Sequence, residues 1–221
     1  MAFQDNPEGV IKFNSRVDKD EPPSAFTLRD LDVYRQKLRD LELIGGSERG
    51  KCYGNISIRH PVSIYVTLPE GHRSFIITGT QTGCDITLQN KDYLRVTRYD
   101  IMNNRVYGRG VAEPSSESLT HAALYDISDK ILAVIHVHYS GLWNSRHRLN
   151  IPTTAPGIEY GTLEMALDMK RVHEKIKSEH LDNIIAMESH RDGILTFGRD
   201  LQEAFNTLIK YHDRLNPNSK Y

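Results

Sequence analysis

"ILAVIHVHYSGLW", residues 131–143, decides how the rest of the chain is read. Ile131 to Ile135 form a short, continuous apolar run rich in β-branched side chains, which predicts a buried strand rather than a helix. Residues two apart on a strand face the same way. His136 and His138 therefore project side by side where the strand leaves the core. Two neutral imidazoles on one face can begin a metal site. Two half-buried histidines bonded to backbone carbonyls would give the same pattern, so further ligands and a catalytic partner must be sought elsewhere in the chain.

Working outward, residues 1–25 carry Pro7, Pro22, Pro23 and many charges and are expected to form an arm. Residues 26–221 read as one domain. Thr27 is a good N-cap for a helix with Leu28, Leu31, Tyr34, Leu38 and Leu41 on one stripe, and Gly45 and Gly46 are expected to end it. Short strands follow at 55–59, 62–68 and 74–78, with "PEGHR" as the turn between the last two. Another pair is expected at 93–97 and 104–108. A helix runs from Pro114 to about Asp129 with a serine cap. Beyond the histidine strand, 144–161 reads as a loop and 162–178 as a helix capped by Thr162. Strands at 183–189 and 193–197 flank the turn "HRDG", and a helix closes the chain at 200–215. Hairpins mixed with helices predict a largely antiparallel sheet flanked by helices, not a regular βαβ repeat.

The chain has 221 residues, of which 26% are charged and 38% hydrophobic, and a net charge of −1. That is an ordinary globular composition, with no electrostatic signature for nucleic acid or an anionic membrane. The two cysteines, Cys52 and Cys84, form no Cys-x-x-Cys pattern, which excludes a zinc finger. Reduced thiols in a cytoplasmic setting are expected. The N-terminus has no basic-then-apolar leader pattern, and no apolar run is long enough to span a bilayer.

Three further places carry chemistry. Ser115 and Ser116 stand where a helix begins, where free backbone N–H groups suit an anion such as phosphate; redundant N-caps are the plainer reading. "GTQTG" (79–83) offers the Thr80 and Thr82 hydroxyls between glycines but lacks the Lys-Ser/Thr ending of a Walker loop. Glu117 and His121 lie one helical turn apart. Glu117 is either a carboxylate favoured by the helix dipole or an acid/base aimed at the metal. His190, at a turn after an apolar strand, is the natural third ligand. Three histidines with an open position make a catalytic rather than a structural zinc arrangement. His60, His72, His147, His173, His180 and His212 are expected to be solvated.

"GNISIR", "TGTQTG", "EPSSESLTHAALY", "VIHVHYS" and "SHRDGILTFGRDLQEAF" occur in this order between residues 54 and 205, within a resemblance that covers about residues 28–215. Together they resemble the class II aldolase/adducin family, to which L-fuculose-1-phosphate aldolase and L-ribulose-5-phosphate 4-epimerase belong. The resemblance implies a three-layer α/β/α sandwich around a mainly antiparallel sheet, and a homotetramer with active sites near subunit interfaces. It implies zinc, or another divalent metal, on His136, His138 and His190, with Glu117 as the acid/base. It places phosphate contacts on Asn55, on Thr82 and Gly83 (Thr80 is the alternative), and on Ser115 and Ser116. The implied reaction is retro-aldol cleavage of a small phosphorylated ketose through a metal-stabilised enediolate. An epimerase, dehydratase or decarboxylase would use the same residues, and a metal-free adducin-like module would use none of them. Two departures stand out. "HRDG" inserts Arg191 and Asp192 where many members of the family carry His-Gly, which could re-aim His190 or add the Asp192 carboxylate. The segment that bears a catalytic tyrosine in fuculose-type aldolases is shorter here, and Tyr160 is not given that role.

Overall fold

The computed structural model describes residues 10–46, 52–61 and 68–216. The apolar run at its centre forms strand β8 (Ala133–His138), buried along its length except at His138. It lies inside an eight-stranded sheet, as a run buried on both faces must. In chain order the other strands of that sheet are β1 (Asn14–Asp18), β4 (Asn55–Arg59), β5 (Phe75–Thr78), β6 (Tyr93–Asp100), β7 (Arg105–Arg109), β9 (Ile184–Ala186) and β10 (Gly193–Gly198). Their spatial order is β1-β7-β6-β5-β4-β8-β10-β9. A separate two-stranded ribbon pairs β2 (Gly45–Gly46) with β3 (Cys52–Tyr53). Only β1 and β7 pair in parallel; the other pairs of the large sheet are antiparallel. The fold is therefore mixed α/β, built on a large and mostly antiparallel sheet.

Five helices accompany the sheet among the described residues: α1 (Ala25–Asp40), α2 (Ser118–Ile127), α3 (Ser140–Ser145), α4 (Leu163–Ser178) and α5 (Leu201–Leu215). Alternate strand residues feed two cores, as a period of two requires. Val134, Phe75 and Ile77 join α2 and α4 in one. Ile135, Val137, Ile56 and Ile76 join α1, α3 and α5 in the other. His136 and His138 share Val134's face, the side on which α2 packs. Ser118 to Tyr125 of α2 are all buried, which accounts for its weak amphipathic pattern.

Several expectations are corrected. Asn14–Asp18 is an edge strand rather than part of an arm. Its side chains are exposed except Val17, which packs against the core, and the rest of its support is the backbone ladder to β7. The cap of α1 is Ser24, whose Oγ accepts from the Thr27 N–H. That helix ends at Asp40, before the glycines: Glu42 turns to φ 57° and the Leu43 N–H returns to the Leu38 carbonyl at 2.9 Å. α2 starts at Ser118, later than Pro114, and the short helix α3 occupies sequence read as strand end and loop. The strand expected at 62–68 falls on residues 62–67, outside the described residues. Cys52 and Cys84 are joined in a disulfide, with Cα atoms 5.1 Å apart, not reduced thiols. The fold alone brings together two residues 32 apart in sequence. His173 and His212 are buried, not solvated.

Candidate metal centre

β8 delivers His136 and His138 to one face, and β10 runs antiparallel beside it with Leu195 opposite His136 and Gly193 opposite His138. The turn before β10 brings in His190. One ligand atom of each of the three histidines lies within 4.8 Å of those of the other two. Their ring centroids are 4.8 to 5.1 Å apart. His136 and His190 are buried and His138 is half-buried, so the cluster is closed on the protein side and open at its mouth. Three imidazoles are borderline donors that suit zinc and neighbouring divalent metals. The donor set therefore fits the metal that the resemblance implies.

The inserted Arg191 and Asp192 do not turn His190 away. The His190 N–H donates to the Met187 carbonyl at 3.1 Å, and the Gly193 N–H to the His190 carbonyl at 2.9 Å. Asp192 takes the extra residue at φ 67°, a left-handed conformation that aspartate tolerates, and its carbonyl accepts from the Tyr139 N–H at 2.7 Å. Arg191 points outward, its side chain 80% exposed. Gly193 packs tightly on the ligand: a Cβ there would stand 3.0 Å from the His190 carbonyl oxygen and 3.2 Å from its ring, and would press on both. Asp192 is not part of the ligand cluster among the described residues.

Glu117 is wholly buried and is the N-cap of α2. Its Oε1 lies 3.1 Å from His190 Nδ1. Burial opposes its charge. The hydrogen bond from His190 and the field of the His136 and His190 imidazoles outweigh that, and the carboxyl sits below its usual range. A bound cation would push the same way. His121, one turn on, does not face the cluster as a partner of Glu117. Its Nδ1 meets Ser57 Oγ at 2.7 Å, and Ser57 Oγ in turn meets Tyr125 Oη at 2.6 Å. Burial pushes the pKa of His121 down to about 4, so it is neutral at pH 7.

The candidate phosphate residues are carried by a strand, a turn and the segment just before α2. Asn55 sits opposite His136 in the ladder, and its buried Oδ1 has no hydrogen-bond partner among the described residues. Thr82 and Gly83 open a 3-10 turn, Thr82–Cys84. Gly83 packs so closely on Tyr53 that a Cβ would lie 2.3 Å from the Tyr53 carbonyl. The Thr80 N–H donates to the Glu113 carbonyl at 3.1 Å, which joins this loop to the segment carrying Ser115 and Ser116. Ser115 also acts as a cap: its Oγ accepts from the Glu117 N–H at 3.3 Å and its carbonyl from Ser118 Oγ at 2.7 Å. Ser116 is buried, and its carbonyl meets Gly161 so closely that a Cβ there would stand 2.6 Å away.

Two aromatic residues stand at the site: Tyr160, to which the sequence assigned no role, and Tyr53, which sequence reasoning missed. The buried Tyr160 ring lies 4.6 Å from that of His190, at 32°, and Lys12 Nζ sits 3.9 Å from the Tyr160 centroid. The Tyr53 ring lies 5.1 Å from His138. The available signal was the Tyr-Gly pair ahead of α4, since Gly161 at φ 66° marks a forced turn.

The sequence model of the Class II Aldolase and Adducin N-terminal domain matches residues 50–215. The chain belongs to the class II aldolase/adducin family. Solved structures with this family's fold include an L-fuculose 1-phosphate aldolase, with 21% identity, a TM-score of 0.61, and coverage of 89% of this chain and 85% of that one. A sugar-phosphate aldolase from Thermotoga maritima gives 17% identity, a TM-score of 0.62, and coverage of 87% and 93%. YgbL from Escherichia coli, a candidate aldolase/epimerase/decarboxylase, gives 18% identity, a TM-score of 0.58, and coverage of 87% and 88%. These identities establish a shared class II aldolase fold and nothing finer. No curated protein sequence matches the chain.

Proposed function

We propose that the chain is a divalent-metal-dependent aldolase, with zinc as the metal, that cleaves a small phosphorylated ketose by a retro-aldol reaction. The observation that carries this reading is the buried Glu117 carboxylate 3.1 Å from one imidazole of a three-histidine cluster. His136, His138 and His190 would hold the ion. A bound divalent ion would supply a Lewis acid facing the negative charge that C–C cleavage develops. Glu117 takes up and returns the displaced proton at its carboxylate oxygen, a role that typically contributes about 10²–10⁴-fold in rate. Asn55, Thr82, Gly83, Ser115 and Ser116 hold the phosphate, with Thr80 as the alternative in the loop, and so fix the scissile bond relative to Glu117. The buried, unmatched Asn55 Oδ1 supports a ligand at that end of the site.

The same residues would serve an epimerase, dehydratase or decarboxylase, and the name of YgbL spans two of these. A metal-free interaction module has no use for a buried carboxylate beside three clustered imidazoles. Elemental analysis of the parent and of His190→Ala, followed by a screen of sugar phosphates for aldehyde release, tests the proposal. Stoichiometric metal in the parent, its loss in the variant and aldehyde release are the expected results. A metal-free parent after incubation with zinc would overturn it, and carbon dioxide or an epimer in place of aldehyde would redirect it.

The proposal extends to architecture. The two helix-lined cores support a three-layer α/β/α sandwich, and residues 26–221 form one domain to which the preceding segment adds β1. A homotetramer is expected, to be read by sedimentation. No helix among the described residues is long and apolar enough to cross a membrane. A cytoplasmic location, expected from reduced cysteines, is opposed by the disulfide, and thiol-blocked extraction decides between them.

A further inference from the structure

The third ligand, His190, stands on a turn, not on a strand, and the surroundings of that turn are unusually well tied. α3 begins two residues after His138, and its end is bound to the residues just before His190. Trp143 Nε1 donates to the Met187 carbonyl at 2.8 Å, the same carbonyl that receives the His190 N–H. Arg146 grips Glu188 with two bonds, Nε to Oε2 at 2.8 Å and Nη2 to Oε1 at 2.6 Å. The side chains are only 11% and 23% exposed. The guanidinium also donates to the Trp143 carbonyl at 2.6 Å and lies 3.9 Å from the Trp143 ring centroid. The Glu188 N–H donates to Thr154 Oγ1 at 2.8 Å. A bidentate, largely buried arginine–carboxylate pair has a defined geometry that an exposed lysine pair lacks.

We propose that Arg146 and Glu188 form a positioning pair that sets His190 against His136 and His138, coupling the segment after one ligand strand to the turn that carries the third ligand. This rests on the metal-centre reading above. Neither residue is a ligand: both carboxylate oxygens of Glu188 are taken by Arg146, and neither residue belongs to the ligand cluster. Partners that orient a metal-binding histidine typically affect metal affinity by about 10–100-fold when removed.

The test is a titration of cobalt(II) into metal-stripped protein, read by its visible absorption. Arg146→Ala and Glu188→Ala are expected to bind cobalt about 10–100-fold more weakly, with shifted absorption bands that report a changed ligand geometry. Glu188→Gln and Arg146→Lys keep part of the hydrogen bonding and are expected to fall between these and the parent, and they decide the question if the alanine variants do not fold. Val106→Ala, a core residue of β7, provides the control: it lowers the melting temperature with unchanged cobalt affinity and bands. Parent-like binding and spectra in the Arg146 and Glu188 variants would overturn the positioning role alone. A parent that binds no cobalt would overturn the metal centre and this inference together.

Discussion

Glu117 and His121 share one helix and one burial, yet their surroundings drive them to different tasks. Glu117 faces imidazoles that favour its anion. His121 faces Ser57 and Tyr125, and burial keeps it neutral. Glu117→Gln is expected to retain stoichiometric metal while turnover falls about 10²–10⁴-fold, measured by elemental analysis beside a rate assay. His121 gives a pH signature. Its folded pKa, about 4, lies below its reference value of 6.5, so between those values the unfolded chain binds the extra proton. Its contribution to stability is complete above pH 6.5 and is lost as pH falls towards 4, to a limit of about 3 kcal/mol. Thermal melts of metal-free protein across that range should show a shallower loss in His121→Gln than in the parent. Equal slopes would remove His121 from the account.

At the scale of elements, the candidate phosphate loop is held from behind. Arg35 of α1 is buried, and its guanidinium donates to the Thr82 and Asp85 carbonyls at 2.7 Å each. Arg39 donates to the Gly83 carbonyl at 2.6 Å. These bonds draw the loop's carbonyls towards α1. The stripe Leu28, Leu31 and Leu38 of α1 was legible from its spacing. The presence of Arg35 on the same buried face was not, because a charged residue there reads as polar until its carbonyl partners, 47 to 51 residues away, are in place. Arg35→Ala is expected to cost about 2 kcal/mol, as charged-donor hydrogen bonds are lost from a buried position. It should also weaken binding of inorganic phosphate by several-fold, measured by calorimetry. Unchanged phosphate binding would detach the loop from that role.

At the scale of the molecule, the disulfide ties β3 to the end of the same loop across 32 residues. Closing a loop of that length stabilises by about 3–4 kcal/mol in the chain-entropy model, or roughly 10 °C in melting temperature for a chain of this size. A dithiol reductant should lower the melting temperature by that order in the parent and leave a Cys52→Ser/Cys84→Ser variant unmoved. No change in the parent would show that the thiols are already free. The edge strand β1 belongs to this scale as well. Four of its five residues are exposed and only Val17 packs against the core, so its strand conformation depends on the edge that β7 offers.

The sequence by itself determined the apolar strand that ends in His136 and His138, most of the strands and long helices, and the family. Each is written locally, in a period of two, a period of 3.6 or a short motif. Only the tertiary structure decided that "HRDG" keeps His190 pointing inward, that Tyr160 and Tyr53 flank the ligands, that His121 is locked to Ser57, and that Cys52 meets Cys84. Each of those depends on contacts between residues distant in sequence. Chain periodicity carries no record of such contacts, because they exist only once the sheet has brought its strands into register.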